Sequence, residues 1–139
     1  MNSSFLTLNY DSSLITLMII GIGIDLVNTP RIKKLIEKWG SRFKEKVFSN
    51  IEIKYSEGHQ RDEQHFAGNF AVKEAFIKAL GRRNIRFIDI EVMRNGYGKP
   101  YINLYGEAKV RVEEMEIKGI YTSISHDGEY STAIVILEK

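Results

Sequence analysis

The fold of this chain is decided by residues 66–80, which read F-A-G-N-F-A-V-K-E-A-F-I-K-A-L. Small and large apolar residues fill most of this segment, so it predicts a helix that is buried on several sides. Two charged residues, Lys73 and Glu74, lie side by side in its middle, and Glu74 shares its helical stripe with apolar neighbours. An unpaired charge costs several kcal/mol to bury, so such groups are usually paired, hydrogen-bonded or bound to a metal. An internal ion pair, a lysine that reaches solvent along the helix, and a functional site all remain open as explanations.

The segments on either side of this helix alternate between helical and extended patterns. Thr29 and Pro30 resemble an N-cap followed by proline at the first helical position, and the helix after them has an apolar face that includes Trp39. Ser49 and Glu52 have the spacing of a capping box. In chain order we expect a strand over 19–27, helices over 29–39, 42–48, 49–58 and 63–80, strands over 86–93 and 101–105, a helix over 107–116, and a hairpin over 121–125 and 130–137. This order predicts an α+β fold class: a single domain with a mainly antiparallel sheet packed on a long buried helix.

The composition fits one globular domain and excludes some kinds of site. The chain has 139 residues, of which 43% are hydrophobic and 27% charged, as in ordinary globular proteins. It contains no cysteine, which excludes a disulfide framework or a thiolate metal site and fits a reducing compartment such as the cytoplasm. The longest apolar run, residues 14–24, is too short to span a membrane, and residues 1–13 lack the basic residues of a signal peptide. We expect residues 1–17 to be an N-terminal extension, either disordered or a start-site artefact, before a domain over 18–139.

Positive charge is concentrated in two blocks, although the net charge of the chain is only +2. Residues 31–62 contain nine Lys or Arg against five Asp or Glu, and residues 73–99 contain seven against three. Such blocks indicate acidic partners, for example phosphates or an acidic protein surface. The interspersed acids, and the lack of aromatic residues suited to base stacking, argue against nucleic acid as a partner.

Three short motifs suggest kinds of chemistry that their context does not favour. Gly21-Ile22-Gly23 lacks the third glycine and the helix start of a dinucleotide-binding fingerprint. Gly98-Lys99-Pro100 lacks the upstream glycine and the hydroxyl residue of a Walker-type phosphate loop. Ser125-His126-Asp127 cannot form a catalytic triad by itself, because successive side chains diverge.

Two acids are the best candidates for metal ligands. Asp25, near the end of the first strand, and Glu74, on the buried helix, occupy the most apolar contexts of all the acids. Two carboxylates, together with substrate phosphates and water, commonly hold Mg²⁺. Structural alternatives stay open: a turn cap for Asp25, a turn histidine without a special role for His126, and a solvated hairpin lysine for Lys99.

Four segments then become recognisable together, in one order and at suitable spacing. They read G-I-G-I-D-L-V-x-x-x-R-I at 21–32, F-A-x-x-F-A-x-K-E-A-F-x-K-A-L-G at 66–81, G-K-P at 98–100 and S-I-S-H at 123–126. With them the chain resembles the holo-[acyl-carrier-protein] synthases, the small type of 4′-phosphopantetheinyl transferase. The resemblance runs from about Met18 to Lys139, and its most specific part is the K-E-A segment combined with the aspartate near the amino terminus. It implies the 4′-phosphopantetheinyl transferase fold.

The resemblance also implies an activity and an assembly. The family transfers 4′-phosphopantetheine from coenzyme A to a serine of apo acyl carrier protein, which leaves adenosine 3′,5′-bisphosphate and supports fatty acid biosynthesis, a part of lipid metabolism. It works in the cytoplasm as a homotrimer, with Mg²⁺-dependent sites between neighbouring subunits. The expected partners are therefore coenzyme A, apo acyl carrier protein and further copies of the chain, with no role for a membrane or nucleic acid.

The resemblance assigns roles to residues by their position in the motifs. Asp25 and Glu74 match the metal ligands, and together with Lys73 they match the catalytic residues, Lys73 as the group that stabilises the departing phosphate. The residues that match the coenzyme A site are Lys73, Lys78, Gly98, Lys99, Pro100, Ser125 and His126. The residues that match the face for the acidic carrier-protein helix are Arg31, Leu35, Lys38, Arg42 and Phe43. The proton acceptor for the serine, either a carboxylate or a water held by one, stays open.

One position departs from the family pattern. The family usually has arginine immediately before the aromatic residue of F-A-x-R-[FW]-A, and this chain has Asn69 there. The change removes a guanidinium that can pair with phosphate or a partner. We expect either a lower affinity for coenzyme A or compensation by another cation, such as Arg82 or Arg83.

Two other functions stay open on the residues alone. A Mg²⁺-dependent phosphohydrolase would use the same Asp25 and Glu74 but would act on coenzyme A without a carrier protein. A non-catalytic module would bind an acidic protein through its basic helix and would keep Lys73 and Glu74 only as an internal ion pair.

Overall fold

The computed structural model describes residues 16–139, and it confirms the α+β fold class. The expected extension, residues 1–17, lies outside the described residues except for its last two positions. In chain order the elements are β1 (Ile19–Asn28), α1 (Thr29–Trp39), α2 (Ser41–Val47), α3 (Asn50–Glu57), α4 (Asp62–Leu80), a 3₁₀ turn (Phe87–Asp89), β2 (Ile90–Arg94), β3 (Pro100–Leu104), α5 (Gly106–Glu114), β4 (Gly119–Asp127) and β5 (Tyr130–Glu138). None of the helices within these residues is both long enough and apolar enough to cross a membrane.

The strands pair in an antiparallel manner throughout, but they form two sheets instead of one. A three-stranded sheet has the order β1-β5-β4, and β2 pairs with β3 as a separate hairpin. The strand expected over 86–93 begins only at Ile90, because the residues before it form the 3₁₀ turn. Two hydrogen bonds from the Arg86 guanidinium to the Asp89 carboxylate brace that turn.

The long helix α4 is the centre of the core and packs against the three-stranded sheet. The two glycines of the G-I-G motif allow β1 to lie directly on this helix. A Cβ atom at Gly21 would overlap the carbonyl oxygen of Ala79, and one at Gly23 would overlap that of Ala75. The motif therefore serves close contact between two backbones, as glycine often does in a strand.

The helix starts were largely predictable from local signals. Ser49 and Glu52 form the expected capping box at the start of α3. At α1 the prediction was wrong by one residue, because Asn28 is the N-cap and its Oδ1 accepts from the Arg31 N–H at 3.1 Å. Trp39, the last residue of α1 and part of its expected apolar face, is 46% exposed.

Candidate active site

Asp25 and Glu74 face each other across a cleft of about 220 Å³ between β1, α1 and α4. Asp25 lies on the face of β1 that packs against α4, where alternate residues of the strand are turned inward. We call this space the carboxylate cleft, and its lining consists of Asp25, Leu26, Val27, Asn28, Arg31, Ile32, Leu35, Phe70 and Glu74. The two predicted metal ligands are therefore brought together from positions 49 residues apart in the sequence.

The carboxylate cleft contains two like charges, with the cations of Arg31 and Lys78 close to them. Burial raises the pKa of Glu74, and the negative charge of Asp25 raises it further, while Lys78 and Arg31 oppose the shift. Lys78, which was expected to contact coenzyme A phosphates, forms a 3.0 Å ion pair with Asp25 Oδ1 and donates to the carbonyl of Ile24 at 2.9 Å. Its side chain is 54% exposed, so its ammonium can exchange Asp25 for another anion at little cost.

The two carboxylates fit a hard divalent cation such as Mg²⁺. Among residues 16–139 no group of three or more His, Cys, Asp or Glu converges as it would in an all-protein metal site. Mg²⁺ does not need such a group, because it commonly binds one or two carboxylates and takes its other ligands from phosphates and water. The raised pKa of Glu74 fits this role, because a bound cation would relieve the repulsion between Glu74 and Asp25.

Lys73 occupies a different environment from Glu74, although the two are adjacent. Its side chain is fully buried, and its ammonium donates to Glu52 Oε1 at 2.8 Å and to the carbonyls of Phe87 at 3.0 Å and Ile90 at 2.6 Å. Burial lowers the pKa of Lys73 and raises that of Glu52, and the ion pair opposes both shifts.

These contacts correct the roles expected of Lys73 as a catalytic residue and as a ligand of coenzyme A phosphates. All three of its ammonium hydrogens have partners, and the group has no exposed surface from which to reach a substrate. An internal ion pair, one of the explanations open from the sequence, is what the structure contains. Its acidic partner is Glu52, so Glu74 remains available in the cleft.

The residues expected to receive the carrier protein lie on α1 and α2. Arg31 and Leu35 line the carboxylate cleft, and Lys38 and Arg42 are exposed beyond it. Phe43 lines a second, more apolar groove of about 670 Å³. We call this second space the apolar groove, and its lining consists of Phe43, Glu45, Lys46, Val47, Phe70, Ile85, Arg86, Phe87 and Ile88.

Phe70 connects these two spaces and was not singled out from the sequence. It lines both the carboxylate cleft and the apolar groove, and its ring packs on that of Phe87 with centroids 5.3 Å apart. The signal available was its place in the F-A-x-x-F-A motif. Two other residues with buried contacts were also not singled out from the sequence. Glu52 was marked only by its capping-box spacing, and Arg94 was marked only by its charge.

The other residues matched to the coenzyme A site, which we call the second group, lie at the β2–β3 hairpin and near the end of β4. Gly98 and Lys99 lie in the β2–β3 turn, where Gly98 has a φ of +80° that favours glycine. Pro100 is the first residue of β3 and pairs with Arg94. Ser125 and His126 are exposed near the end of β4 and line a shallow cleft of about 250 Å³. None of these residues lines the carboxylate cleft.

A family model described as the 4′-phosphopantetheinyl transferase superfamily matches residues 21–135 of this chain. The matched part includes both carboxylates of the cleft and both groups of site residues. The chain therefore belongs to the 4′-phosphopantetheinyl transferase superfamily.

Similar sequences identify the branch of that superfamily. The holo-[acyl-carrier-protein] synthase of Halothermothrix orenii is 43% identical over 124 residues, which cover 88% of this chain and 99% of the relative. The protein of the same name from Geobacter sulfurreducens is 39% identical over 125 residues, with coverage of 88% and 99%. At this identity and coverage the chain is a member of the holo-[acyl-carrier-protein] synthase family.

Solved structures agree with this assignment. The holo-[acyl-carrier-protein] synthase of Neisseria meningitidis superposes with a TM-score of 0.80 at 32% identity, covering 88% of this chain and all of that one. The Helicobacter pylori enzyme, solved in complex with coenzyme A, superposes with a TM-score of 0.75 at 32% identity, covering 84% of this chain and 98% of that one. The expected transferase fold is thus confirmed.

Proposed function

We propose that this chain carries out its family's reaction, the transfer of 4′-phosphopantetheine from coenzyme A to a serine of apo acyl carrier protein, in the carboxylate cleft. The observation that carries the proposal is that Asp25 and Glu74 line the same cleft, while the exposed ammonium of Lys78 donates to Asp25. We take the catalytic domain to span residues 18–139, because backbone pairing between Met18 and Lys139 closes it. The absence of cysteine fits a cytoplasmic enzyme of fatty acid biosynthesis.

The chemistry follows from the groups in the cleft. The serine oxygen forms a bond to the β-phosphorus of coenzyme A, and the bond from that phosphorus to the bridging oxygen breaks, which releases adenosine 3′,5′-bisphosphate. Mg²⁺ held by Asp25 and Glu74 would neutralise phosphate charge during this transfer. Lys78 takes over the role first expected of Lys73, because its ammonium can leave Asp25 and stabilise charge on the leaving phosphate. The serine proton needs an acceptor at the site, either a carboxylate or a water held by one.

The carrier protein would dock along α1 and α2. Arg31 at the cleft, with Lys38 and Arg42 beyond it, gives this side a row of exposed positive charge for an acidic helix. Phe43 and Phe70 in the adjoining apolar groove offer a place for an apolar side chain of that helix. Docking here brings the carrier serine towards Asp25 and Glu74, and its rate should fall with added salt.

A homotrimer fits two features of the chain. The outer face of the sheet, away from α4, exposes a row of large apolar residues on β1: Ile22 is 60%, Ile24 63% and Leu26 66% exposed. A contiguous apolar face of this kind favours association with other copies. Lys99 and His126 also do not line the carboxylate cleft of their own chain, and we take a neighbouring subunit to supply them to each cleft.

Intact-protein mass spectrometry tests the reaction. Apo acyl carrier protein incubated with this chain, coenzyme A and Mg²⁺ should gain the mass of one phosphopantetheine, and a chelator should abolish the gain. A reaction without carrier protein distinguishes a transferase from a phosphohydrolase, because only the phosphohydrolase would release adenosine 3′,5′-bisphosphate there. No gain with any of several carrier proteins at saturating coenzyme A would overturn the proposal.

A complementation experiment tests the sites between subunits. The Glu74→Ala and His126→Ala variants are each expected to be inactive alone, because each loses one half of every site. In mixed trimers from co-expression, about one quarter of the sites should be intact. Head-to-tail contacts build each site from two neighbouring subunits, and each of the two contributions is intact in about half of the subunits. Mixed trimers without activity would contradict the shared site.

A further inference from the structure

Asn69, which stands where the family usually has arginine, is an incompletely bonded polar residue in the core. Its side chain is fully buried on α4, and its Oδ1 accepts a hydrogen bond from Arg94 Nη2 at 2.9 Å. Its Nδ2 has no hydrogen-bond partner among residues 16–139. A buried amide with an unused donor is costly, so its presence in the core calls for an explanation.

Arg94, which holds Asn69, is a cation without a counter-charge. It is the last residue of β2, half-buried, with its guanidinium over the ring of Tyr55 at 5.3 Å. Within residues 16–139 it forms no salt bridge, and the carboxylate that acts on it, Glu52, already pairs with Lys73. Burial accordingly lowers the pKa of Arg94. A partly desolvated guanidinium without a carboxylate favours the arrival of an anion.

The surroundings of Arg94 belong to the second group of site residues. Burial lowers the pKa of His126 and of His65, and the positive charge of Arg94 lowers both further, as that of His59 does for His65. Gly68 makes room for the imidazole of His126 against α4, because a Cβ there would lie 3.0 Å from its Cε1. Pro100, next to Lys99, pairs with Arg94 across the hairpin.

We propose that Arg94, oriented by Asn69, binds a phosphate group of coenzyme A in place of the arginine that is missing from position 69. The inference rests on the proposed function and adds a substrate-binding residue to it. The planar guanidinium of Arg94 is held by Asn69 Oδ1 and keeps further N–H groups that can donate in parallel to phosphate oxygens. The earlier expectation that Arg82 or Arg83 compensates is not needed, because both follow the far end of α4, about 18 Å along the helix from Asn69.

Calorimetric titration with coenzyme A and Mg²⁺ tests the proposal. Arg94→Met should weaken binding on the order of 10- to 100-fold, the usual effect of losing a charge-assisted hydrogen bond. Arg94→Lys should lose less, and the double variant Asn69→Arg with Arg94→Met should regain affinity by moving the guanidinium back to α4. Arg83→Met, which removes the same charge from an exposed position, should bind as the unaltered chain does.

Titration with 3′-dephospho-coenzyme A in parallel identifies the phosphate. If Arg94→Met loses affinity for coenzyme A alone, Arg94 binds the 3′-phosphate. If it loses affinity for both compounds, Arg94 binds the pyrophosphate. Either result supports the proposal. Unchanged affinity of Arg94→Met, or an equal loss in Arg83→Met, overturns it. If the unaltered chain binds no coenzyme A at all, the proposed function itself fails, which is a different result from a failure of Arg94 alone.

Discussion

The pocket around Lys73 and the carboxylate cleft lie on different faces of α4 and handle charge in opposite ways. Lys73 is enclosed, and each of its ammonium hydrogens has an acceptor within the same chain. Glu74 is half-buried beside a second carboxylate, and its pKa is raised first by burial and then by the negative charge of Asp25. A charge whose partners are all supplied by the fold stabilises the fold, whereas a charge left short of partners is available to a ligand. Two adjacent residues thus have separate roles, and variants at each should separate stability from activity.

The largest effect is expected in the cleft. Glu74→Gln keeps the size of the side chain but removes a ligand charge, so the rate of holo carrier protein formation should fall on the order of 10²- to 10³-fold. The melting temperature should stay the same or rise, since the repulsion with Asp25 is lost. Mass spectrometry and thermal unfolding measure the two quantities, with the exposed Glu113→Gln on α5 as control. Full activity of Glu74→Gln would remove Glu74 from the site.

The Lys73 pocket should respond in the opposite way. Lys73→Met leaves Glu52 buried without its partner, so the free energy of unfolding should fall by about 3–5 kcal/mol. Urea denaturation measures this loss, and adding Glu52→Gln should recover part of it. Lys109→Met, at an exposed position of α5, serves as the control. If Lys73→Met were as stable as the unaltered chain yet inactive, Lys73 would belong to the site after all.

Lys78 and Lys73 lie on the same helix, but we expect variants of Lys78 to affect activity more than stability. Lys78→Met should lower kcat/KM for coenzyme A by about 10- to 100-fold, because it removes a cation from the developing phosphate charge. Its ion pair with Asp25 is largely exposed on the lysine side, so the free energy of unfolding should change by less than about 1 kcal/mol. Steady-state kinetics and urea denaturation of one preparation give both values. A stability loss equal to that of Lys73→Met would erase the distinction.

The smallest effect concerns pH. Because the folded pKa of Glu74 lies above its ordinary value of 4.5, the folded chain holds more protons than the unfolded chain between the two values. Without divalent cations, the free energy of unfolding should therefore decrease as the pH rises through this window. Mg²⁺ affinity should increase over the same window, since the ligand must be ionised. The difference in slope between the unaltered chain and Glu74→Gln isolates this carboxyl, and equal slopes would contradict the raised pKa.

The sequence predicted the parts of the fold that depend on local signals. The apolar pattern of residues 66–80 predicted α4, and the Ser49–Glu52 spacing predicted the start of α3. The separation of the strands into two sheets was not predictable, because pairing between distant strands has no local signature. Trp39 was misjudged for a related reason: helical spacing identifies an apolar stripe but not where the neighbouring core ends.

In the candidate site, too, the sequence predicted some residues but not the contacts between distant side chains. Asp25 and Glu74 could be proposed from their apolar contexts and from the resemblance, and the fold brings them together. The ion-pair partner of Lys73 could not be predicted, because Glu52 lies 21 positions away and was interpreted only as a capping residue. Arg94 lies 25 positions from Asn69, and no pattern in the sequence links the two residues. Contacts between distant side chains therefore decide which charged residues serve stability and which serve the site.

The glycines at positions 21 and 23 have a further consequence for the carboxylate cleft. Because β1 touches α4 through main-chain atoms, the separation between the Cα atoms of Asp25 and Glu74 is set by two directly packed backbones. Preorganisation of this kind means that the ordering entropy is lost when the chain folds, and little remains to be lost when the cation and coenzyme A bind. An alanine at Gly23 should accordingly weaken cation binding without altering any ligand, by moving the strand that carries Asp25.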